Sequence, residues 1–476
     1  MSLKTLLFNG PIIRQRADNL EMANRILRLG IASILSFLLE NDIEAQLVDP
    51  VTQNEFEIKK KIKKFQPGLV GINAYTSEVH AAATTAAWVK SIYPKAKVVI
   101  GGPHASAVPQ RTLKEFSSFD IAAIGEGEQT MLEIADNRRS LSDIAGICFR
   151  SNTRIIINPP RTLIENINAL PYPPWELYQL QNYSGSNLAS GFAARINLFR
   201  RNYKNLELPV EGARGCPFGC IFCYRTMGRT MRYKSAQRIV DEVQRNVEKF
   251  GATQIHFIEG TFGVNQKIAQ EMCEELIKRN LHRKIRWASG GRVNLLLNKE
   301  LVNLMKQSGC NYLGIGVESG DEEILEKIGK GININQIKRA FRLCHEAGIT
   351  TEAEFILGHP FETEETIRKT INLACSLPTR YATFAILVPF PGTEVAQMAK
   401  KHVGGLKILT EDWRVYGKQI GKSLELKQLP HEKLLEHQAA AYRKFYMRPS
   451  HIPALVSRLN KDRIMYGIKN VFGKLT

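Results

Sequence analysis

"EGARGCPFGCIFCYR", residues 211–225, sets Cys216, Cys220 and Cys223 in a C-x3-C-x2-C pattern, three of the eight cysteines in a chain of 476 residues. Thiolates at these spacings on one loop reach three corners of an iron–sulfur cube, and Gly215, Pro217 and Gly219 let the backbone bend around it. Zinc is the chief competitor. Structural zinc is nearly always closed by four ligands in paired short spacings, and no second C-x2-C or nearby His-x3-His completes such a set. A disulfide is disfavoured in a chain that reads as intracellular. Three unrelated buried cysteines would not need the flanking glycines. The loop therefore reads as the anchor of a [4Fe–4S] cluster whose fourth iron is left open for a substrate.

Downstream, strand-like runs recur at 253–260, 284–290, 312–319, 350–358 and 383–390, the first four each followed by a helical stretch. With a strand at 207–213 they make six βα units, a partial (β/α)6 TIM-type barrel with its active site at the carboxyl ends of the strands. "GCPFGCIFCY" matches the signature of the radical S-adenosylmethionine superfamily, including Tyr224 after the last cysteine, and this part of the chain resembles that superfamily. The resemblance implies that the methionyl amine and carboxylate chelate the open iron, and that reductive cleavage yields a 5′-deoxyadenosyl radical. It also implies cofactor contacts at Glu259 and Gly260 in "FIEGTFGVN", where the second-strand motif receives the amine. Those two residues depart from both usual forms of that motif, two glycines with a glutamate or two aspartates. Ser289 and Arg292 in "ASGGRVN" fall where a polar pair meets the methionyl carboxylate and ribose, and Glu318 and Ser319 in "GIGVESGDEEILEKIGKG" fall beside the cofactor. Without the cysteine motif, Glu259 and Glu318 would read as carboxylates satisfied by a lysine or a helix end.

Upstream, runs at 3–9, 44–50, 69–75, 97–103 and 121–127 alternate with amphipathic segments, the pattern of a doubly wound, Rossmann-like parallel sheet. Ligands of such sheets lie beyond the carboxyl ends of the strands. There the chain reads "NAYTSE", "GGPHAS" and "GEGEQT". The whole stretch resembles the cobalamin-binding domain that precedes the radical core in one class of these enzymes. The resemblance implies that the nucleotide tail passes Tyr75, Thr76, Ser77, Gly101, Gly102, Gly125, Glu126, Gly127 and Glu128. His104 stands at the same edge, but a lone loop histidine is ordinarily a hydrogen-bonding group. The Asp-x-His-x-x-Gly motif of a histidine-ligating cobalamin family is absent, so cobalamin is expected base-off, without a histidine on cobalt.

The expected organisation is thus a cobalamin-binding domain at 1–150, a proline-containing linker at 151–205, a radical core at 206–395 and a mainly helical extension at 396–476. No run reaches the ~18 apolar residues of a membrane span, and the start lacks a secretory signal. Ile452, Leu455, Val456 and Leu459 recur at helical spacing among basic residues, a stripe that docks on the parent protein more often than on a membrane surface. The formal charge of +19 suits an acidic reductant of flavodoxin or ferredoxin type. Nucleic acid is not expected, because basic and aromatic residues do not interleave. The remaining cysteines, Cys148, Cys273, Cys310, Cys344 and Cys375, read as small buried hydrophobes.

In the class resembled, a methyl group passes from S-adenosylmethionine to cobalt, and a second S-adenosylmethionine makes the substrate radical that takes it from methylcobalamin. Methylation of an unactivated carbon is the first expectation, on a small-molecule or lipid-like substrate, with no catalytic acid or base singled out. A non-methylating cyclase or ring-rearranging oxidoreductase is the alternative. An iron–sulfur carrier or sensor and a zinc-stabilised nucleic-acid module are more remote.

Overall fold

The computed structural model describes residues 2–12, 27–183, 206–258, 262–417 and 421–449. In the first sheet β1 (Thr5–Phe8), β2 (Ala45–Val48), β3 (Leu69–Asn73), β4 (Lys97–Gly101) and β5 (Ile121–Ala123) run parallel in the order β2-β1-β3-β4-β5. These are the five expected strands. Helices cover both faces, so β1 is buried along its whole length and reads as an uninterrupted apolar run. Two further strands, β6 (Ile147–Ser151) and β7 (Arg154–Ile157), extend the sheet antiparallel beyond β5. The boundary expected at residue 150 therefore cuts through a hairpin. Its turn passes Asn152 in the left-handed region, at φ +52°, a conformation that asparagine tolerates. The described part of the linker, to Tyr183, is packed against the domains: Trp175 is fully buried, and the Arg238 guanidinium lies 3.4 Å from the Tyr172 ring centroid.

The second sheet holds β8 (Glu207–Glu211), β11 (Gln254–Ile258), β12 (Arg286–Arg292), β13 (Cys310–Glu318), β14 (Thr350–Leu357) and β15 (Tyr381–Ile386). All are parallel and in sequence order, a six-stranded open barrel. Between β8 and β11 the short strands β9 (Ala213–Arg214) and β10 (Arg232–Tyr233) pair antiparallel. The helices that follow the barrel strands start on side-chain caps, among them Ser235, Asn265, Asn298, Asn333 and Thr363. Each cap satisfies an orphan backbone donor and marks the point where a loop becomes a helix.

The open edge of the barrel is closed by a device the sequence does not announce. Helix His431–Tyr446 lies along β15, and the Tyr446 and Tyr442 hydroxyls accept from the Ala382 and Phe384 amides at 3.2 Å each. Gln438 donates to the Phe384 carbonyl at 2.7 Å. Side chains thus take the place of a seventh strand at an edge that would otherwise invite foreign pairing. The extension also holds a small hairpin, β16 (Leu406–Ile408) with β17 (Leu424–Leu426), besides its helices. The stripe at Ile452 to Leu459 lies outside the described residues. Among the described residues no helix is long and apolar enough to cross a membrane.

Candidate active site

The β9–β10 ribbon closes the loop 215–231, which carries all three cysteines of the motif. The Gly228 carbonyl accepts the Cys216 amide at 3.2 Å and the Cys220 carbonyl accepts the Cys223 amide at 3.3 Å. On the far side, the Ile328 carbonyl accepts the Ile221 amide at 3.2 Å, and a Cβ on Gly329 would stand 2.9 Å from the Gly219 carbonyl oxygen. The segment "KIGKG" after β13 is therefore a backbone brace for the cysteine loop. Among the described residues no three His, Cys, Asp or Glu side chains converge as the ligands of a single ion do. The other cysteines behave as inert hydrophobes: burial pushes the Cys148 thiol up to about 11 and those of Cys273 and Cys344 to about 12.

Above the loop lie the carboxyl ends of β12 and β13. Pairing sets Ala288 beside Tyr312, Gly290 beside Gly314 and Arg292 beside Gly316, so these residues share the lumenal face. Arg292 is buried, donates to Cys220 Sγ at 3.4 Å and stacks 3.8 Å over Phe218. Glu318, at φ +73°, folds its carboxylate over Gly316 and accepts from Lys330 Nζ at 2.8 Å. Two cations and one carboxylate thus converge beside the buried thiol. Such a set complements a zwitterionic amino acid head group such as the methionyl end of S-adenosylmethionine. Gly290 leaves the lumen open, with nothing within 4 Å of where a Cβ would be.

Ser289 is not brought to this corner. Side chains alternate along a strand, so residues three apart, as Ser289 and Arg292 are, face opposite sides. The Ser289 hydroxyl is buried and donates to the Phe257 carbonyl at 3.1 Å. Ser319 is likewise structural: fully buried, its hydroxyl accepts the Asp321 amide at 3.2 Å. Glu259 and Gly260 lie outside the described residues. Tyr224 packs beneath Gly392, where a Cβ would meet its ring at 2.5 Å, and burial raises its pKa.

A cavity of about 320 Å³ opens between the cysteine loop and the carboxyl edge of the first sheet. It lies beside β1 and β3, where the strand order reverses and such sheets bind their ligands. Leu7, Ile34, Val99 and Met131 give apolar walls, Tyr75, Gly101, Gly102, Gly125, Gly127 and Glu128 the rim, and Arg214, Thr226 and Met227 the opposite side. Gly101 and Gly125 have nothing within 4 Å of a Cβ position, while Gly102, at φ +96°, would drive one to 2.8 Å from the Ala74 carbonyl oxygen. Apolar walls, a glycine edge and direct access to the cysteine loop fit a large flat cofactor with a polar arm, as cobalamin is. Arg28, also on the wall, is neutralised by Glu78 at 2.7 Å.

Four expected residues stand elsewhere: Glu126 is buried behind the cavity wall, its carboxylate taken by Arg214, Arg232 and the Ile164 amide. Thr76 and Ser77 form a turn behind Tyr75, the first of them buried. His104 is turned into the protein, 1% exposed, with its ring 4.9 Å from that of Trp413. Burial lowers its pKa to about 4. Its segment begins a helix at Pro103, which carries the imidazole away from the cavity and under the C-terminal segment.

The radical SAM superfamily description matches residues 210–374 and the B12 binding domain description residues 16–135. TsrM, a radical S-adenosylmethionine methyltransferase from Kitasatospora setae solved with cobalamin and a [4Fe–4S] cluster bound, superposes with a TM-score of 0.71. The two share 19% identity, and the match covers 94% of this chain and 90% of that one. An anaerobic magnesium-protoporphyrin IX monomethyl ester cyclase from Cereibacter sphaeroides is 27% identical over 400 residues, 82% of this chain and 62% of its own. An uncharacterized methyltransferase of Pyrococcus horikoshii, PH0819, is 32% identical over 428 residues, 88% of each chain. The chain belongs to the cobalamin-dependent radical S-adenosylmethionine family.

Two charged groups of this radical SAM enzyme escaped the sequence reading. Lys330 lies inside the quoted "KIGKG", and its glycine neighbours were the available signal. Glu352 of β14 had none: it is fully buried and receives the Tyr312 and Thr383 hydroxyls from the strands on either side. Burial pushes its carboxyl up to about 7 from 4.5, against the pull of those two hydrogen bonds. The folded state thus holds this proton more tightly than the unfolded chain, so the contribution to stability is complete below about pH 4.5 and is lost as pH rises toward 7. Glu352→Gln, which cannot ionise, is expected to raise stability by up to about 3 kcal/mol at pH 8 and little at pH 5. Thermal denaturation at the two pH values checks this; equal shifts at both would show that the carboxyl ionises normally.

Proposed function

We propose that the protein methylates an unactivated carbon of a small organic substrate. The observation that carries the reading is the shared cavity, whose walls are Gly101, Gly125 and Glu128 on one side and Thr226 and Met227 of the cysteine loop on the other. Bound there, the cluster, S-adenosylmethionine and cobalamin would supply radical cleavage and methyl transfer. The chain's own part is to hold and orient. Cys216, Cys220 and Cys223 would hold the cluster, Arg292, Lys330 and Glu318 the methionyl head group, and Tyr75 with the glycine edge the cobalamin arm. The apolar cavity wall keeps water from the reacting centre.

PH0819 is named a methyltransferase, and it aligns along most of both chains. The cyclase supports a second reading, in which the same cofactors close or rearrange a ring without methyl transfer. Products separate the two. Anaerobically reconstituted protein, given S-adenosylmethionine and a reductant, is expected to form S-adenosylhomocysteine alongside 5′-deoxyadenosine, both measured by chromatography. 5′-Deoxyadenosine alone would favour the cyclase-like reading.

The same proposal includes an acidic flavodoxin or ferredoxin-type electron donor, supported by the +19 formal charge. It also places the protein inside the cell, with the basic segment after Arg448 as the part suited to a membrane surface.

A further inference from the structure

The loop that carries the three cysteines is closed by two arginines, Arg214 and Arg232, which face each other across the β9–β10 ribbon. Neither is solvated: their side chains are 3% and 7% exposed. Both guanidinium groups reach one carboxylate of the first domain. Glu126 Oε1 accepts from Arg232 at 2.6 Å and from Arg214 at 3.2 Å, and its other oxygen accepts the Ile164 amide of the linker at 2.7 Å. Arg214 also donates to Glu128 at 2.6 Å and to Glu211 at 3.0 Å. Glu128 accepts in turn from the Ser33 hydroxyl at 2.6 Å. Burial alone would raise the Glu128 pKa, but Arg214 more than offsets it and the carboxyl lies below its ordinary value.

A buried ion cluster of this kind adds little stability over well-packed apolar side chains. What it adds is geometry, because a guanidinium fork engaged by several carboxylates admits one arrangement. Arg214 stands two residues before Cys216. Arg214, Glu128 and Glu211 also line the cavity at the first sheet, beside Thr226 and Met227 of the loop. The same side chains are therefore the neck of the cysteine loop and the wall of the cobalamin cavity.

We propose that Glu126, gripping Arg214 and Arg232, is a positioning residue that couples the two cofactor sites: filling the cavity orders the cysteine loop, and an ordered loop tightens the cavity. The proposal rests on the cobalamin reading of that cavity. Coupling of this kind is reciprocal, so each cofactor must raise the affinity for the other by the same factor. A clamp that merely glued two domains together would leave the two affinities independent.

The test is an anaerobic absorbance titration with hydroxocobalamin of cluster-free and cluster-reconstituted protein. The cluster is expected to tighten cobalamin binding by about 10-fold, and in Glu126→Gln the ratio is expected to fall to near one. A ratio near one in the wild type, or a ratio unchanged in the variant, overturns the proposal. Hydrogen exchange of segment 215–231 in cluster-free wild type needs no variant. Added hydroxocobalamin is expected to slow it, and unchanged exchange despite bound cobalamin overturns the coupling. Absence of hydroxocobalamin binding in both forms would remove the cobalamin reading itself, and the proposal with it.

Discussion

Cys220→Ala is expected to yield a folded protein that cannot assemble its cluster. Of the three motif thiols this one is buried, 5% exposed, with the Arg292 guanidinium against its sulfur. The neighbouring Ile221 is fixed at both backbone groups: its amide donates to the Ile328 carbonyl and its carbonyl accepts the Val395 amide, each at 3.2 Å. The loop around position 220 is therefore held by main chain, and removing one sulfur should cost only about 1 kcal/mol of stability. Its chemical cost is of another order. A corner of the cluster is lost and Arg292 is left facing a void, so 5′-deoxyadenosine formation should fall more than ~10³-fold, since reductive cleavage of S-adenosylmethionine is the chemistry the cluster supplies. Iron and sulfide analysis of the anaerobically reconstituted protein checks the cause. Cys273→Ala is the matched control, a fully buried thiol in an apolar environment, and it should lose stability but no iron. Full iron content in Cys220→Ala would remove that thiol from the ligand set.

The sequence reading succeeded where the signal is local and failed where the contact is long-range. The parallel strands of both sheets were legible because most are short runs rich in apolar residues and each barrel helix opens on a polar cap, signals carried within a few residues; the antiparallel β6–β7 pair was not. The cysteine loop was legible because its spacing is itself the chemistry. "GEGEQT" shows where this stops. Its glycines were read as a cofactor edge, and Gly125 and Gly127 do line the cavity. Its glutamates were read the same way, and Glu128 does line the cavity while Glu126 does not, yet both grip arginines, lying 86 and 106 residues further along the chain. Nothing near residue 126 encodes a partner at 232.

The same limit separates Arg292 from Ser289 and removes His104 from the cavity. Alternation along β12 was implicit in the sequence, but only pairing with β13 shows which face is the lumen. His104 is buried by Trp413, whose indole donates to Glu115 at 2.6 Å and so fastens the C-terminal segment across the first domain. A contact between residues about three hundred positions apart leaves no periodic trace. The tyrosines that close the edge at β15 were equally silent, since on helix His431–Tyr446 they read as an ordinary aromatic stripe.

The second large effect is expected at Gly215→Ala, and its contrast with Gly219→Ala tests how the cysteine loop is shaped. In the sequence the two glycines are equivalent, one before each of the first two cysteines or their neighbours. In the structure they are not. Gly215 sits at φ +96°, and a Cβ there would stand 2.3 Å from the Thr230 carbonyl oxygen. That oxygen belongs to the chain entering β10, held by the ribbon, and cannot turn aside as a side chain could. Backbone strain and overlap together should cost about 3 kcal/mol or more. Since relief must spread the neck between Arg214 and Arg232, iron content should fall with stability. Gly219 has an unstrained backbone and nothing within 4 Å of a Cβ position. Gly219→Ala should therefore stay within about 0.5 kcal/mol of the parent by thermal denaturation. If Gly215→Ala kept both its melting temperature and its iron, the ribbon would not be what shapes the loop. The constraint would then lie on the opposite side, where Ile328 and Gly329 press against Gly219 and Ile221.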